Sequence, residues 1–251
     1  MYKMKKILLI FIGILLLSCD KENANDCFQK TGAIVSQEIV VADFTRIKVD
    51  RDVELVLKEG AVQKVVIETG ENLLNDVSAV VNGSQLVLTD SNTCNFVRDY
   101  NVTKVYVTSP NITEIISSTQ FQISSDGVLN YTAMDILSED YSDPSVIAVG
   151  RINLTLNSQT IKVVGNNLTS FKLSGMAENL SVSFYAGDGV FNGADLIANK
   201  VSVFHRGTND VIVNPQNVLE GRLVSTGDLI SVHQPPVVDV EVLYTGNLIF
   251  Q

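Results

Sequence analysis

The chain has 251 residues, of which 45% are hydrophobic, and its formal net charge is −10 at pH 7. Nucleic-acid binding depends on Lys and Arg clusters that displace counterions from phosphates, and no such cluster follows Lys6, so this class of function is excluded. A chain of this length and composition can bury a substantial apolar core.

The first predicted element is a secretory signal peptide at residues 1–18. Three lysines precede an apolar run of eleven residues, Ile7 to Leu17, which is shorter than the roughly 20 residues that a transmembrane helix needs. The Leu-Leu-Ser-Cys order that ends at Cys19 resembles the lipobox of bacterial lipoproteins. This resemblance implies that Cys19 carries lipid and becomes the mature N-terminus. The membrane is then a partner, because several acyl chains anchor a protein permanently.

A polar tether is predicted at residues 19–34, ahead of a domain at 35–251. Cleavage at Cys19 removes three lysines and no acidic residue, which moves the net charge from −10 to −13. If Cys19 is lipidated, Cys27 and Cys94 remain as an even pair in an oxidising compartment. We expect a disulfide that closes a loop of 67 residues and contributes on the order of 4 kcal/mol. Two free buried thiols are the alternative.

The dominant period of apolar residues from position 47 onward is two, which is typical of half-buried β-strands. It predicts strands at Val65–Ile67, Leu86–Leu88 and Val105–Val107, separated by glycine, asparagine and proline. The one helical candidate, at residues 71–80, is short. An all-β fold is therefore predicted.

A glycine recurs at nearly even spacing in the second half of the chain, at Gly165, Gly187, Gly207, Gly227 and Gly246. Most of these glycines precede Asn or Asp and then a strand. Two strands and two turns per coil of roughly 20 residues are what a β-solenoid requires, with glycine adopting positive φ at one corner. We expect regular coils over residues 111–251 and a less regular part over 35–110. A β-sandwich is the alternative, because it also places short strands at regular intervals.

Several short motifs resemble the family of putative auto-transporter adhesin head domains, the GIN domains. The motifs are Phe44-Thr45-Arg46-Ile47-Lys48-Val49, Gly70-Glu71-Asn72-Leu73-Leu74, Asn92-Thr93-Cys94-Asn95, Ser225-Thr226-Gly227-Asp228-Leu229 and Tyr244-Thr245-Gly246-Asn247-Leu248. The resemblance covers most of the mature chain. It implies a right-handed, single-stranded β-helix similar to the pectin lyase fold, in an exported lipoprotein with a role in adhesion. The family's Gly-Ile-Asn turns are mostly Gly-Asp or Gly-Asn here.

Candidate chemical sites are few. Asp188, Asp210 and Asp228 follow successive repeat glycines, so they are candidates for a calcium site; turn formation or paired acid–base chemistry are the other interpretations. His205 and His233 lack the spacing and partners of a zinc site, and His205 is expected at the surface beside an arginine. No cofactor is expected.

Two functional hypotheses follow. The first is a non-catalytic lipoprotein of the cell envelope, exported and anchored at the outer membrane on its periplasmic or surface face, that binds a glycan, an envelope protein or a host protein. The alternative is a carbohydrate-active β-helix lyase or hydrolase with an atypical site. Five tyrosines are candidates for stacking on sugars or for packing in the fold: Tyr100, Tyr106, Tyr131, Tyr141 and Tyr185.

Overall fold

The computed structural model describes residues 26–92, 94–141 and 144–251. The predicted signal peptide and Cys19 lie outside the described residues. The described part is all-β, with 17 strands and two single 3₁₀ turns, at Asp26–Phe28 and Leu74–Asp76. The short helical candidate at 71–80 does not form a helix, because this segment holds only the second 3₁₀ turn before a strand begins at Val77.

The strands of the first half are β1 (Ile34–Ile39), β2 (Arg46–Val49), β3 (Glu54–Glu59), β4 (Lys64–Gly70), β5 (Val77–Asn82), β6 (Gln85–Asp90), β7 (Lys104–Ser109), β8 (Glu114–Ser117), β9 (Gln122–Leu129) and β10 (Ala133–Ser138). Those of the second half are β11 (Arg151–Gly165), β12 (Ser170–Phe184), β13 (Val190–His205), β14 (Val211–Leu223), β15 (Leu229–Ser231), β16 (Val237–Val242) and β17 (Leu248–Phe250).

All 17 strands belong to one hydrogen-bonded sheet. Its long strands bend, so the sheet forms two layers that lie opposite each other, and we call each layer a face. The first half of β11 pairs with β9, and its second half pairs with β10, so one strand contributes to both faces. We call the face that contains β9 and the first half of β11 the first face, and the one that contains β10 and the second half of β11 the second face. The strands β12, β13 and β14 repeat this arrangement with parallel pairing. The register shifts between Lys172 and Gly175 of β12, and in β13 both between Asn192 and Ile197 and between Ala198 and Lys200. Where the sequence predicts two strands joined by a turn, each of these long strands instead continues through a bend.

A single apolar core lies between the faces. On the first face, paired residues of successive strands form a column in which each side chain is fully buried: Ile152, Phe171, Phe191, Val211 and Leu229. On the second face, Ile161, Leu180, Val201 and Leu219 form a matching column. Each such side chain contributes roughly 1.5–3 kcal/mol when it leaves water, so the columns are the main source of stability.

Parallel pairing reaches back into residues 35–110, because β2 pairs with β8 and β3 pairs with β9. Within the described residues, antiparallel pairing is confined to β1 with β4, β4 with β7 and β5 with β6. These strands cover the N-terminal end of the core. A β-sandwich of the kind considered from the sequence is built from antiparallel strands, so the parallel register argues against that alternative.

A disulfide joins Cys27 to Cys94, as the sequence predicts, with a sequence separation of 67. The Cys27 carbonyl accepts a hydrogen bond of 2.9 Å from the Phe96 amide, and the buried Gln29 side chain donates one of 2.6 Å to the Asn72 carbonyl. Residues 27–33, which fall in the tether predicted from the sequence, are therefore held against the domain.

Candidate functional site

The repeat glycines lie in a stacked column of turns, with one exception. The Gly187 carbonyl accepts from the Thr208 amide, and the Gly207 carbonyl accepts from the Gly227 amide. Gly165 lies outside the column, because it pairs with Phe184 within the sheet. Its place in the turn column is taken by Asn167, whose φ is +61°.

Positive φ explains only one of these glycines, so the expectation that the repeat glycines adopt positive φ at one corner is wrong for the others. Gly187 has a φ of +85°, and the other repeat glycines have no positive φ. In the turn column, glycine is required because the closely stacked turns leave no space for a side chain. A Cβ on Gly227 would lie 2.3 Å from the Asn209 carbonyl oxygen, and one on Gly246 would lie 2.3 Å from the Gly227 carbonyl oxygen.

The three candidate aspartates accept hydrogen bonds from neighbouring turns. The Asp188 carboxylate accepts from the Thr208 hydroxyl, and Asp210 accepts from the Asp228 amide at 3.4 Å. Asp228 accepts from the Asn247 amide at 2.7 Å. No group of three His, Cys, Asp or Glu side chains within the described residues is arranged to hold a metal ion. The geometry of these aspartates supports a turn-forming role.

His205 is fully buried, so its expected surface position is wrong. It pairs between Phe184 and Leu223 in an inward-facing column of the second face. The Nε2 atom lies 2.7 Å from the Asn209 carbonyl oxygen, and Nδ1 accepts from the Gly207 amide at 3.4 Å. Burial lowers the pKa of His205. Its role is therefore to bond the turn that follows it.

The five candidate tyrosines separate into different environments. Tyr131 is buried and donates to the Ser109 carbonyl at 2.9 Å, and the Tyr106 hydroxyl donates to Glu68 at 3.2 Å. Tyr100 is exposed near the N-terminal end. Only Tyr141 and Tyr185 line the same depression.

This depression is a groove of about 670 Å³ on the outer side of the second face. We call it the aromatic groove; its main lining residues are Leu137, Tyr141, Lys162, Val164, Tyr185 and Arg206. The lining is mostly apolar in area, which is typical of ligand sites that carry a few polar groups.

Paired strands position these side chains. Leu137 and Val164 are partners in the β10–β11 register, and both point outward from the core. Tyr185 and Arg206 directly follow β12 and β13, and their amides bond the carbonyls of Gly165 and Phe184. The Tyr185 ring packs on Phe204 at a centroid distance of 5.3 Å. Tyr185 is therefore exposed but supported from beneath.

The charged groups in and beside the aromatic groove differ in whether they already make hydrogen bonds or ion pairs within the protein. Glu139 accepts the Tyr141 amide at 2.7 Å, and Asp140 accepts from the Asn166 and Asn167 side-chain amides at 2.7 and 2.9 Å. Lys162 lies 4.0 Å from Asp135, at the limit of an ion pair. Within the described residues, no hydrogen bond or ion pair to the Arg206 guanidinium is found. The carboxylates are engaged and the cations are largely available.

Sequence reasoning identified the two tyrosines of the aromatic groove and missed its other residues. The signal for them lies in the repeat. Val164, Tyr185 and Arg206 are each spaced by one repeat length, so aligning successive repeats places them in one column. Leu137 and Lys162 join the groove only through sheet pairing across an irregular interval.

A second depression, a polar cavity of about 160 Å³, lies at the N-terminal end beside the disulfide loop. Asp90 in its wall accepts from the Thr103 hydroxyl at 2.6 Å and from the Asn92 amide at 2.9 Å. Burial raises the pKa of Asp90, and these hydrogen bonds partly offset the effect. Because it is small and its polar groups bond one another, this cavity is a poorer candidate than the aromatic groove.

Among the described residues, no helix has the length and hydrophobicity to cross a membrane. No curated protein matches the sequence. Solved structures share the fold. An adhesin-like protein of Bacteroides fragilis has a TM-score of 0.78 at 17% identity, over 88% of this chain and 99% of that one. One from Parabacteroides merdae has a TM-score of 0.61 at 16% identity, over 88% and 98%.

A protein of Parabacteroides distasonis that is described as lipid binding has a TM-score of 0.59 at 15% identity, over 88% of this chain and 98% of that one. Identities this low show the fold alone. At the level of sequence, residues 43–235 match the family model described as "Putative auto-transporter adhesin, head GIN domain". This match spans most of the chain, and the chain therefore belongs to the auto-transporter adhesin head GIN domain family.

Proposed function

We propose that this chain is a non-catalytic binding module of the cell envelope that captures a glycan through the aromatic groove. The observation that carries the proposal is the groove itself, in which Tyr185 stands exposed on a supporting Phe204 above an apolar floor. Exposed aromatic rings with a few polar neighbours are suited to the apolar faces of sugar rings. The adhesin description of the family agrees with this role.

The chain is exported and anchored through lipid on Cys19 in this proposal. The basic start, the apolar run and the Leu-Leu-Ser-Cys order support the anchor. Only eight residue steps separate Cys19 from the disulfide at Cys27, and a fully extended chain of that length spans about 28 Å. The N-terminal end of the domain is thereby held close to the bilayer, most simply that of the outer membrane.

The sheet is a right-handed β-solenoid in this proposal. The parallel pairing of β11 through β14 at about one repeat length supports a coil. Right-handed connections dominate between parallel strands of one sheet, because the strand twist favours them. An experimental structure with left-handed winding would contradict it.

The proposal is tested by applying residues 20–251, which retain every described residue, to immobilised bacterial and host-matrix polysaccharides. We expect retention on at least one glycan that falls about tenfold when Tyr185 is changed to Ala, without release of oligosaccharides. A Tyr100→Ala variant is the matched control, since it removes an exposed tyrosine that lines the N-terminal cavity and not the groove. Release of reducing ends or unsaturated products would instead support the carbohydrate-active enzyme.

A further inference from the structure

We infer that the aromatic groove selects an acidic saccharide, whose carboxylate or sulfate group pairs with Arg206 and Lys162 while a sugar ring stacks on Tyr185. This inference rests on the proposed function, because it names the class of glycan that the same groove takes. Three properties of the groove carry it: its aromatic wall, its available cations and an unused acceptor on Asn166.

The aromatic wall supplies the contact with a sugar ring. Tyr185 is 53% exposed and Tyr141 is 93% exposed, so both rings present surface to a ligand. Val164 and Leu137 form an apolar floor between them. Phe204 fixes the Tyr185 ring at a centroid distance of 5.3 Å, which reduces the entropy lost on binding.

The available cations give the groove its preference for negative charge. Lys162 and Arg206 are exposed and line the same groove. Glu139, which also lines it, accepts a hydrogen bond from the Tyr141 amide, and the neighbouring Asp140 accepts from the Asn166 and Asn167 side chains. A planar guanidinium matches a carboxylate or sulfate with two parallel hydrogen bonds. The net negative charge of the chain opposes an acidic ligand, but charges farther away than about 8 Å are screened at physiological salt.

Asn166 adds an unmade hydrogen bond. It is 9% exposed, lines the aromatic groove, and donates from Nδ2 to Asp140 at 2.7 Å. Its Oδ1 atom is buried and has no hydrogen-bond partner. A sugar hydroxyl that reaches this oxygen after a small rotation of the amide would satisfy it.

A saccharide fits the groove better than an extended peptide. Peptides that bind to sheets pair with the backbone of an edge strand. The groove lies over β10, β11 and β12, and each of these strands is already paired on both sides. Their side chains, and not backbone groups, are what the groove offers.

The test uses residues 20–251 and three tetrasaccharide probes in titration calorimetry: hyaluronan, 6-sulfated chondroitin, and hyaluronan reduced at its carboxylates. The first and last differ in charge and little else. We expect at least one acidic probe to bind about tenfold more tightly than the carboxyl-reduced one. Arg206→Gln should weaken that binding about tenfold, and Lys162→Gln should weaken it less, since Asp135 shares that charge.

Arg151→Gln is the matched control for charge, because it removes an exposed arginine at the start of β11 on the other face. It should leave binding of the acidic probe unchanged. Equal binding of acidic and carboxyl-reduced probes, or an unchanged affinity in Arg206→Gln, would overturn the inference. If Tyr185→Ala still weakened that binding, the proposed function would stand.

Failure of both acidic probes to bind at millimolar concentration also overturns the inference. Retention of the protein on a neutral polysaccharide would then show that glycan binding itself survives. Loss of all retention would remove the proposed function as well, so the two failures are distinguishable.

Discussion

His205 is a fully buried polar side chain whose ring centroid lies 6.0 Å from that of Phe184. Next to an arginine in sequence, it was expected at the surface, yet it is buried in a column between Phe184 and Leu223. The alternation of the strand decides this: Val201, Val203 and His205 share one face, and that face is the core. A neutral ring fits because Nε2–H donates to Asn209 and Nδ1 accepts from Gly207.

The buried ring predicts an acid-sensitive fold. Burial lowers the pKa of His205 in the folded state below the value near 6.5 of an unfolded chain, while Asp210 and Asp228 nearby act in the opposite direction. Well above pH 6.5 the ring is neutral in both states. As the pH falls below 6.5, the unfolded state takes up the proton first, and stability is lost by up to about 1.4 kcal/mol per pH unit.

Urea unfolding between pH 7.5 and 5 measures this effect. His205→Leu should be less stable than the natural chain at pH 7.5, because the Asn209 carbonyl loses its partner, and its stability should vary less with pH. His233→Gln leaves His205 in place and should keep the steeper dependence. Parallel pH profiles for the natural chain and His205→Leu would show that the prediction is wrong.

At the scale of elements, the column of turns is held by close backbone approach. Thr208 bonds the Gly187 carbonyl, Gly227 bonds the Gly207 carbonyl, and Asn247 bonds the Asp228 carboxylate. Each turn therefore forms hydrogen bonds with polar groups of the neighbouring turn, and these bonds are made only while the two turns remain in contact. The sequence identified the period of this column, but it placed Gly165 in the position that Asn167 occupies.

We expect Gly227→Ala to destabilise the domain by about 2 kcal/mol, because overpacking a tightly filled site forces backbone shifts. The new Cβ would lie 2.3 Å from both the Asn209 carbonyl oxygen and His205 Nε2, which are themselves hydrogen-bonded. Gly189→Ala is the matched control, since the nearest atom to its Cβ is 3.4 Å away. It should change stability by no more than about 0.5 kcal/mol.

Thermal and urea unfolding of both variants measure the difference. Equal stability of Gly227→Ala and Gly189→Ala would contradict the prediction. It would mean that neighbouring turns can move apart to accommodate a methyl group without loss of stability.

The strands that bend are the second finding at this scale. Asparagines mark the bend: Asn157 donates to Asn130 at 3.1 Å, Asn199 donates to Glu178 at 2.6 Å, and Asn217 donates to Asn199. The sequence pattern there resembles a loop, because polar residues interrupt the alternation. The backbone nevertheless stays paired with the strands on either side, which only the three-dimensional stacking supplies.

At the scale of the whole molecule, the two ends of the sheet differ. The N-terminal end is covered by antiparallel strands and closed by the Cys27–Cys94 disulfide. At the other end β16 is exposed along most of its length, although Val238 and Val242 align with buried leucines of β14. If lipid is attached at Cys19, as we propose, the bilayer is on the side of the covered end and the exposed end points away from it.

The anchor gives a prediction for the complete chain. Cys19→Ser removes the lipid attachment point, so more than about nine tenths of the protein should move from the membrane fraction to the soluble exported fraction. Cys27→Ser is the control, because it breaks the disulfide and leaves Cys19 intact; it should remain with membranes. Unchanged membrane association of Cys19→Ser, measured by fractionation, would contradict lipid anchoring at this residue.

The sequence by itself determined the all-β class, the period of the repeat, the family and the Cys27–Cys94 pairing. These features follow from local patterns: alternation, recurring glycines and the parity of the cysteines. Tertiary structure decided that the long strands continue through a bend, that His205 is buried, and that Tyr185, Val164 and Arg206 line one groove with Tyr141. Such features depend on register between strands that lie one repeat or more apart in the chain, and register follows from packing, which a local pattern cannot specify.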